Sequence, residues 1–266
     1  MPNGFDRFER ILVPVDFSRR SANALAYAVA LGSLFRAEID VLHVWHSDLS
    51  TPVTVARERA RSELREFVAG LELRGDVELR RRAELGDPYL TIQRLAQLTG
   101  YDLLVIAGPD TKRNLADSVA LALLRSASTP VLFVPEHCQA RLRSEREPVL
   151  RLERILVPLA LAGSQLAALD CACELAASDG ARVEALLTAD ASPEQIQRLR
   201  AQPKLCLAEF ELQEDSEKAA PQRVQSSCFD WLVMASKRVQ VGEQASDLRL
   251  ERIALSVPCA TLSLPD

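Results

Sequence analysis

No stretch of this sequence approaches the about 20 consecutive apolar residues that a membrane span requires. Its start, MPNGFDRFER, lacks the apolar core of a secretory signal. The expectation is a protein of the cytoplasm, working away from membranes. Excess positive charge is missing too: 32 Lys and Arg stand against 37 Asp and Glu, a formal net charge of -5 that offers nucleic acid no general attraction. The run Arg80, Arg81 and Arg82 is a local exception, and a strand edge with solvated arginines accounts for it. Six cysteines are present (Cys138, Cys171, Cys173, Cys206, Cys228 and Cys259), none in a CxxC pair. Cys171 and Cys173 lie two apart in a helical stretch, so their side chains point about 200° apart and do not readily chelate one ion. Small buried hydrophobes in a reducing compartment is the reading that results.

Catalytic signatures are equally scarce. The sequence contains no GxxxxGK[ST] loop, no Ser-His-Asp order and no paired-carboxylate motif. There are 3 histidines, and two of them, His43 and His46, flank Trp45 without a third ligand nearby, so no metal site is expected and His43 is assigned to a strand. No enzyme is expected.

What the sequence does contain is core: 48% hydrophobic and 26% charged residues in 266 positions suffice for two ordinary soluble domains. The central stretch is Asp102 to Pro135, an apolar run (Leu103 to Ala107), a polar loop, a helix opening at Ser118 and a second apolar run (Val131 to Val134). A crossover helix of this size joins parallel strands, and the loop leaving a strand's carboxyl end toward a helix amino end is where α/β folds bind anions. Chemistry is expected between Ala107 and Ser118.

Upstream, Ile11 to Val15 reads as a buried parallel strand, Ser21 to Leu34 as a helix and Glu38 to Val44 as a second strand. Thr51 to Leu71 interleaves Glu and Arg around a stripe of Val55, Leu64, Phe67 and Val68, an exposed amphipathic helix. Val77 to Leu85 is a third strand, and Asp87-Pro88 caps and begins a helix running to about Leu98.

The pattern then restarts. RILVP at Arg10 to Pro14 recurs at Arg154 to Pro158, an offset of 144, whereas Ala107 and Ala235, Ser118 and Ser246, and Pro130 and Pro258 are each 128 apart. The second copy is therefore 144 − 128 = 16 residues shorter. In it, helices are expected over Leu166 to Ala177, Pro193 to Arg200 and Pro221 to Ser227. Strands are expected over Arg182 to Leu187, Leu205 to Leu212, Trp231 to Ala235 and Thr261 to Leu264. The domains are placed at 1–136 and 153–266, joined by a charged linker at 137–152.

These motifs, ILVPVDFS (Ile11 to Ser18), LHV (Leu42 to Val44), GDP (Gly86 to Pro88), DLLVIAG (Asp102 to Gly108) and SVALALLRSASTPVLFVP (Ser118 to Pro135), resemble the universal stress protein family in its tandem form, across essentially the whole chain. The resemblance implies an α/β fold: two tandem open parallel five-stranded sheets flanked by helices, strand order 3-2-1-4-5, similar to adenine-nucleotide alpha-hydrolases. It also implies a nucleotide site across the ends of the first and fourth strands. There Pro14, Val15 and the carboxylate of Asp16 would meet the adenosine portion, Val44 would line the adenine slot, and a phosphate loop G-x2-G-x9-G-[ST] would fall on Ala107, Gly108, Lys112, Arg113, Ser118 and Val119.

The loop departs from that pattern. Ala107 replaces its first glycine, Asp110 or Thr111 stands near the second, Asp117 holds the third, and the interval to Ser118 is 11 residues where the pattern needs 14. A carboxylate against a triphosphate costs about 4 kcal/mol per charge pair at ~4 Å and an effective dielectric near 20. In the second copy Ala160 replaces the carboxylate, and no ATP is expected there.

Each candidate has two readings at this point. Asp16 is either a ligand carboxylate or the cap of the next helix. Lys112 and Arg113, like Lys237 and Arg238, either grip an anion or are simply solvated. Ser118 and Ser246 cap helices whose amino ends favour anions. The expectation is a non-enzymatic stress-response protein with degenerate nucleotide sites, acting through protein partners and tuned by a small ligand. No resident cofactor is expected, and ATP or AMP would enter the first domain only. The two rivals are an ATP/AMP sensor and a carrier of small molecules or lipids. The family's habit of joining last strands suggests an intramolecular pseudo-dimer in which Val131 to Val134 meets Thr261 to Leu264, with homodimerisation left open.

Overall fold

The structure, a computed structural model, describes residues 8–46, 50–71, 73, 77–109, 115, 118–136, 138, 150–159, 165–188, 192, 194, 197, 208–213, 216–236 and 249–265. The chain divides into two compact units.

The first unit opens with β1 (Arg10–Pro14), α1 (Arg19–Phe35), β2 (Glu38–Trp45), α2 (Val53–Gly70) and β3 (Leu79–Leu85). It continues through α3 (Pro88–Leu98), β4 (Leu103–Ala107), α4 (Val119–Ser126) and β5 (Val131–Val134). All its strand pairs are parallel, in the order β3-β2-β1-β4-β5. The apolar runs account for this order. Ile11, Leu12 and Val13 of β1 and Leu103, Leu104 and Val105 of β4 are wholly buried, as strands covered on both faces must be. Each such side chain contributes about 1.5–3 kcal/mol.

Helix boundaries follow from identifiable caps. Ser18 starts α1 by accepting the Ser21 N–H at 3.2 Å, and Arg36 ends it in a left-handed conformation with its N–H on Gly32 O. Asp87 starts α3 by accepting the Leu90 N–H at 2.9 Å, with Pro88 following. Gly32 lets α1 approach the sheet, since a Cβ there would lie 2.7 Å from Val77 Cγ1 and 2.8 Å from Ile39 Cδ1. The buried stripe of α2 is Ala60, Leu64 and Val68, a clean i, i+4, i+8 series. The expected stripe misplaced Val55, which is 57% exposed in the helix's first turn.

The second unit runs β6 (Arg154–Leu159), α5 (Gln165–Asp179), β7 (Arg182–Thr188), β8 (Ala208–Gln213), α6 (Ser216–Ser226), β9 (Trp231–Ser236), α7 (Arg249–Ser256) and β10 (Ala260–Pro265). Its strands repeat the first unit's order as β8-β7-β6-β9-β10, all parallel. Helix α6 begins five residues before the Pro221 at which a helix start is expected. Its early residues Glu217 to Ala220 are good helix formers and Ala220 is fully buried, which offsets the N–H that Pro221 lacks. The expected helix at Pro193 to Arg200 and the expected linker lie mostly outside the described residues.

The duplication repeats a brace at the amino ends of the strands. Asp102 accepts the N–H groups of Glu9 and Arg10 at 3.0 and 2.9 Å, and Asp230 accepts those of Glu153 and Arg154 at 2.7 and 2.9 Å. Arg10 lies over the Tyr101 ring at 4.9 Å and 3.8 Å from Asp40. Correspondingly, Arg154 lies over the Phe229 ring at 4.2 Å and 3.0 Å from Glu184. A second arginine completes each brace, Arg82 from β3 in the first unit and Arg223 from α6 in the second. This corrects the expectation for the arginine run: Arg80 and Arg81 are exposed, but Arg82 also bonds to Tyr101 and Glu84. Cys138, Cys171, Cys173 and Cys259 are buried as expected, whereas Cys228 is exposed. No helix among the described residues is long and apolar enough to cross a membrane.

Candidate functional site

The strand order creates a switch point. From β1 the chain moves outward to β2 and β3, then returns to β4 on the other flank of β1, so the loops after β1 and β4 diverge from neighbouring parallel strands. The sequence-expected residues distribute around this point. Pro14 closes β1, Asp16 and Ser18 form the turn after it, Val44 lies near the end of β2, Ala107 closes β4, and Ser118 and Val119 open α4.

Asp16 is exposed, and it does not cap α1. The cap is Ser18, and Asp16 Oδ1 instead accepts the Ser18 N–H at 3.0 Å, one step ahead of the helix. Ser21 closes the arrangement by donating its hydroxyl to Ser18 O at 3.0 Å. Partial desolvation works against the charge of Asp16, but hydrogen bonds from Ser18 and Ser21 and the nearby Arg20 cation outweigh it and hold its carboxyl below the ordinary value. The turn after β1 therefore presents an ionised carboxylate, and Val44, near the end of the neighbouring β2, is half-buried.

Two of the expected residues have their backbone groups engaged within the fold. Val15 is buried, donates its N–H to Leu42 O at 2.8 Å and offers its carbonyl to His43 Nδ1 at 3.0 Å, so it supports Asp16 and has its backbone groups committed within the sheet. Gly108 donates its N–H to Val134 O at 2.7 Å. A Cβ on it would meet Phe133 Cζ at 3.2 Å and Pro135 Cα at 3.3 Å, so glycine is placed there by packing on β5 and its hydrogen is not turned toward an anion.

Ser118 caps α4 by accepting the Leu121 N–H at 3.3 Å, while its own N–H reaches Leu115 O at 3.1 Å. The expected cations Lys112 and Arg113 lie outside the described residues, as do Asp110, Thr111, Asp117, Ala160, Lys237, Arg238 and Ser246. His43, assigned to a strand, is in β2 and half-buried. Its Nδ1–H donates to Val15 O, so this nitrogen is engaged with backbone. His46 is exposed just beyond β2, and no group of three or more His, Cys, Asp or Glu suited to a metal occurs among the described residues.

Sequence reasoning missed Phe17. Its ring stacks on His43 at 4.2 Å between centroids and 30° between planes, and meets Phe67 of α2 at 5.3 Å. It does so from a left-handed backbone, φ 63°, which nothing about a phenylalanine in DFS announces.

Residues 7–135 match the Universal stress protein family. Among solved structures, the chain is similar to a universal stress protein from Archaeoglobus fulgidus DSM 4304, at 16% identity over 98% of this chain and 97% of that one, with a TM-score of 0.70. It is also similar to a functionally unknown protein from Pseudomonas aeruginosa PAO1, at 17% identity over 99% of this chain and 94% of that one, with a TM-score of 0.65. At such identities these structures show the fold alone. Residues 7–135 thus form a domain of the universal stress protein family, and the fold is shared with these structures over nearly the whole length of the chain.

Proposed function

We propose that this chain, with its universal stress protein domain at residues 7–135, is a non-enzymatic stress-response protein of the cytoplasm, acting through protein partners. Its nucleotide site is degenerate in the first unit and lost from the second, and a small ligand beside Asp16 tunes it. The observation that carries this reading is the engagement of Gly108. A phosphate cradle is built from backbone N–H groups that glycines allow to turn outward. The stretch from Ala107 to Ser118 contains one glycine, and its N–H is bonded to Val134 O at 2.7 Å. Asp117 adds a like charge to the same short loop, and Ala160 stands where a second Asp16 would be needed.

Equilibrium dialysis of the full chain with radiolabelled ATP and Mg²⁺ tests this directly. No saturable binding is expected up to about 1 mM, the concentration at which binding is worth only about 4 kcal/mol. Micromolar binding that Asp16→Asn abolishes would overturn the reading. It would favour an ATP or AMP sensor instead, the alternative for which the ionised, exposed Asp16 speaks. Native mass spectrometry of the purified chain addresses the carrier reading, which requires co-purified mass.

A further inference from the structure

Two non-glycine residues among the described ones have positive φ, Phe17 at 63° and Arg36 at 56°. Arg36 ends α1, where a left-handed residue is an ordinary way to close a helix. Phe17 lies ahead of a helix, and a bulky residue is disfavoured in that conformation unless its surroundings enforce it. The enforcing contacts are visible. The Phe17 ring is stacked on the His43 imidazole at 4.2 Å and packed against Phe67 at 5.3 Å. His43 in turn donates Nδ1–H to the carbonyl of Val15 at 3.0 Å. Val15 and Phe17 are the two chain neighbours of Asp16, so one imidazole holds the backbone on one side of the carboxylate and the ring on the other.

We propose that His43 and Phe17 are the positioning residues of the Asp16 site: the imidazole clamps both neighbours of Asp16 and so fixes the turn in which its carboxylate accepts the Ser18 N–H. This rests on reading Asp16 as the ligand-facing group of the first unit. Phe67 backs the clamp from α2, so the sheet end and one helix jointly set where the carboxylate points. At the positions 144 residues on, the second copy has Ala160, Leu161 and Leu187 in place of Asp16, Phe17 and His43. An ordinary aromatic core would contribute stability without affecting the carboxylate.

The experiment uses the full chain with ¹³C-labelled aspartate, the Asp16 carboxyl signal being identified by its loss in Asp16→Asn, and needs no ligand. The wild-type midpoint is expected below 3.8. Phe17→Gly suits the backbone but removes the ring, and His43→Asn keeps an N–H donor near Val15 but removes the stack. Both are expected to move the midpoint up toward that of a free carboxyl and to speed hydrogen exchange at the Ser18 amide. Phe17→Tyr keeps the ring and should leave both readouts unchanged, which separates loss of the clamp from misfolding. An Asp16 midpoint unmoved in Phe17→Gly and His43→Asn, with only thermal stability lowered, overturns the proposal. Dialysis speaks to the ligand and this titration to the clamp, so either can fail alone.

Discussion

Tyr101 donates its buried hydroxyl hydrogen to Oδ2 of Asp40, 61 positions away in sequence. The same phenol accepts from Arg82 Nη1 at 3.2 Å, and Arg10 lies 4.9 Å over its ring. Asp40 is 6% exposed, and a carboxylate so placed is tolerated only with compensation, here one hydroxyl hydrogen bond and two guanidinium charges at 3.8 and 4.0 Å.

Tyr101→Phe removes the hydroxyl and leaves the rest of the brace. The expected cost is about 1–3 kcal/mol, read from urea denaturation. Its pH dependence is a sharper test. Burial and the hydrogen bond to Asp40 push the Tyr101 pKa from 10.0 up to about 12. The folded state therefore holds this proton more tightly than the unfolded chain does. The stabilisation is complete below pH 10.0 and is lost as pH rises from 10.0 to about 12. The stability gap between wild type and Tyr101→Phe should close across that window, and a gap that stays constant there would contradict the assignment.

Asp102 and Asp230 occupy matching places, each accepting two N–H groups at the start of its unit's first strand. The 2 tryptophans of the chain divide between the units, Trp45 in the first and Trp231 in the second. Asp102→Ala should cost about 1–2 kcal/mol, since solvent replaces part of what is lost. In chains carrying a single tryptophan, it should shift the Trp45 fluorescence transition more than that of Trp231. Asp230→Ala should do the reverse. Equal shifts from both substitutions would show that the braces do not act locally.

The architecture was legible because buried parallel strands leave continuous apolar runs, and the runs from Ile11, Leu103 and Val131 have no competing interpretation. The repeat was legible for a related reason: the Ile-Leu-Val of RILVP is wholly buried in both copies, and the arginine before it serves the same brace. The brace was harder to see. Arg10, Asp40 and Tyr101 are far apart in sequence and each is unremarkable alone, although the pairs Arg10/Arg154 and Asp40/Glu184 share one offset and Tyr101/Phe229 and Asp102/Asp230 share the other. At the candidate site, Asp16 was visible as a carboxylate just after β1, but its hydrogen bonding was not, because an aspartate two residues ahead of a serine can cap or defer to it. The conformation of Phe17 had no sequence signal, since tertiary contacts with His43 and Phe67 override its local preference.

Glycine substitutions give opposite expectations at two positions. At Gly108 an added Cβ would fall 3.2 Å from Phe133 Cζ and 3.3 Å from Val134 O and Pro135 Cα, and two of those three neighbours are backbone atoms that cannot turn aside. Gly108→Ala should destabilise the first unit by about 1–3 kcal/mol. Gly70 ends α2 with nothing within 4 Å of such a Cβ and no positive φ. Gly70→Ala should stabilise by about 0.4–1 kcal/mol, by restricting the unfolded chain. Thermal denaturation of both variants checks the pair, and a Gly108→Ala chain as stable as wild type would mean that β5 yields.

The turn after β1 makes the last prediction, because two of its residues have separable roles. Ser18→Ala removes the α1 cap and should cost about 1 kcal/mol at all pH values where the fold persists. Asp16→Asn should behave differently. The Asp16 carboxyl is held below its ordinary 3.8 in the folded state, so its contribution is present above 3.8 and is lost as pH falls from there through the lowered folded value. Denaturation at neutral pH should show Asp16→Asn less stable than wild type, and the difference should vanish in acid. With Ser18→Ala the difference should persist, because a hydroxyl cap does not titrate. Should Asp16→Asn cost the same in acid as at neutrality, the carboxylate would be acting through shape alone, and its charge would have no part in holding the turn.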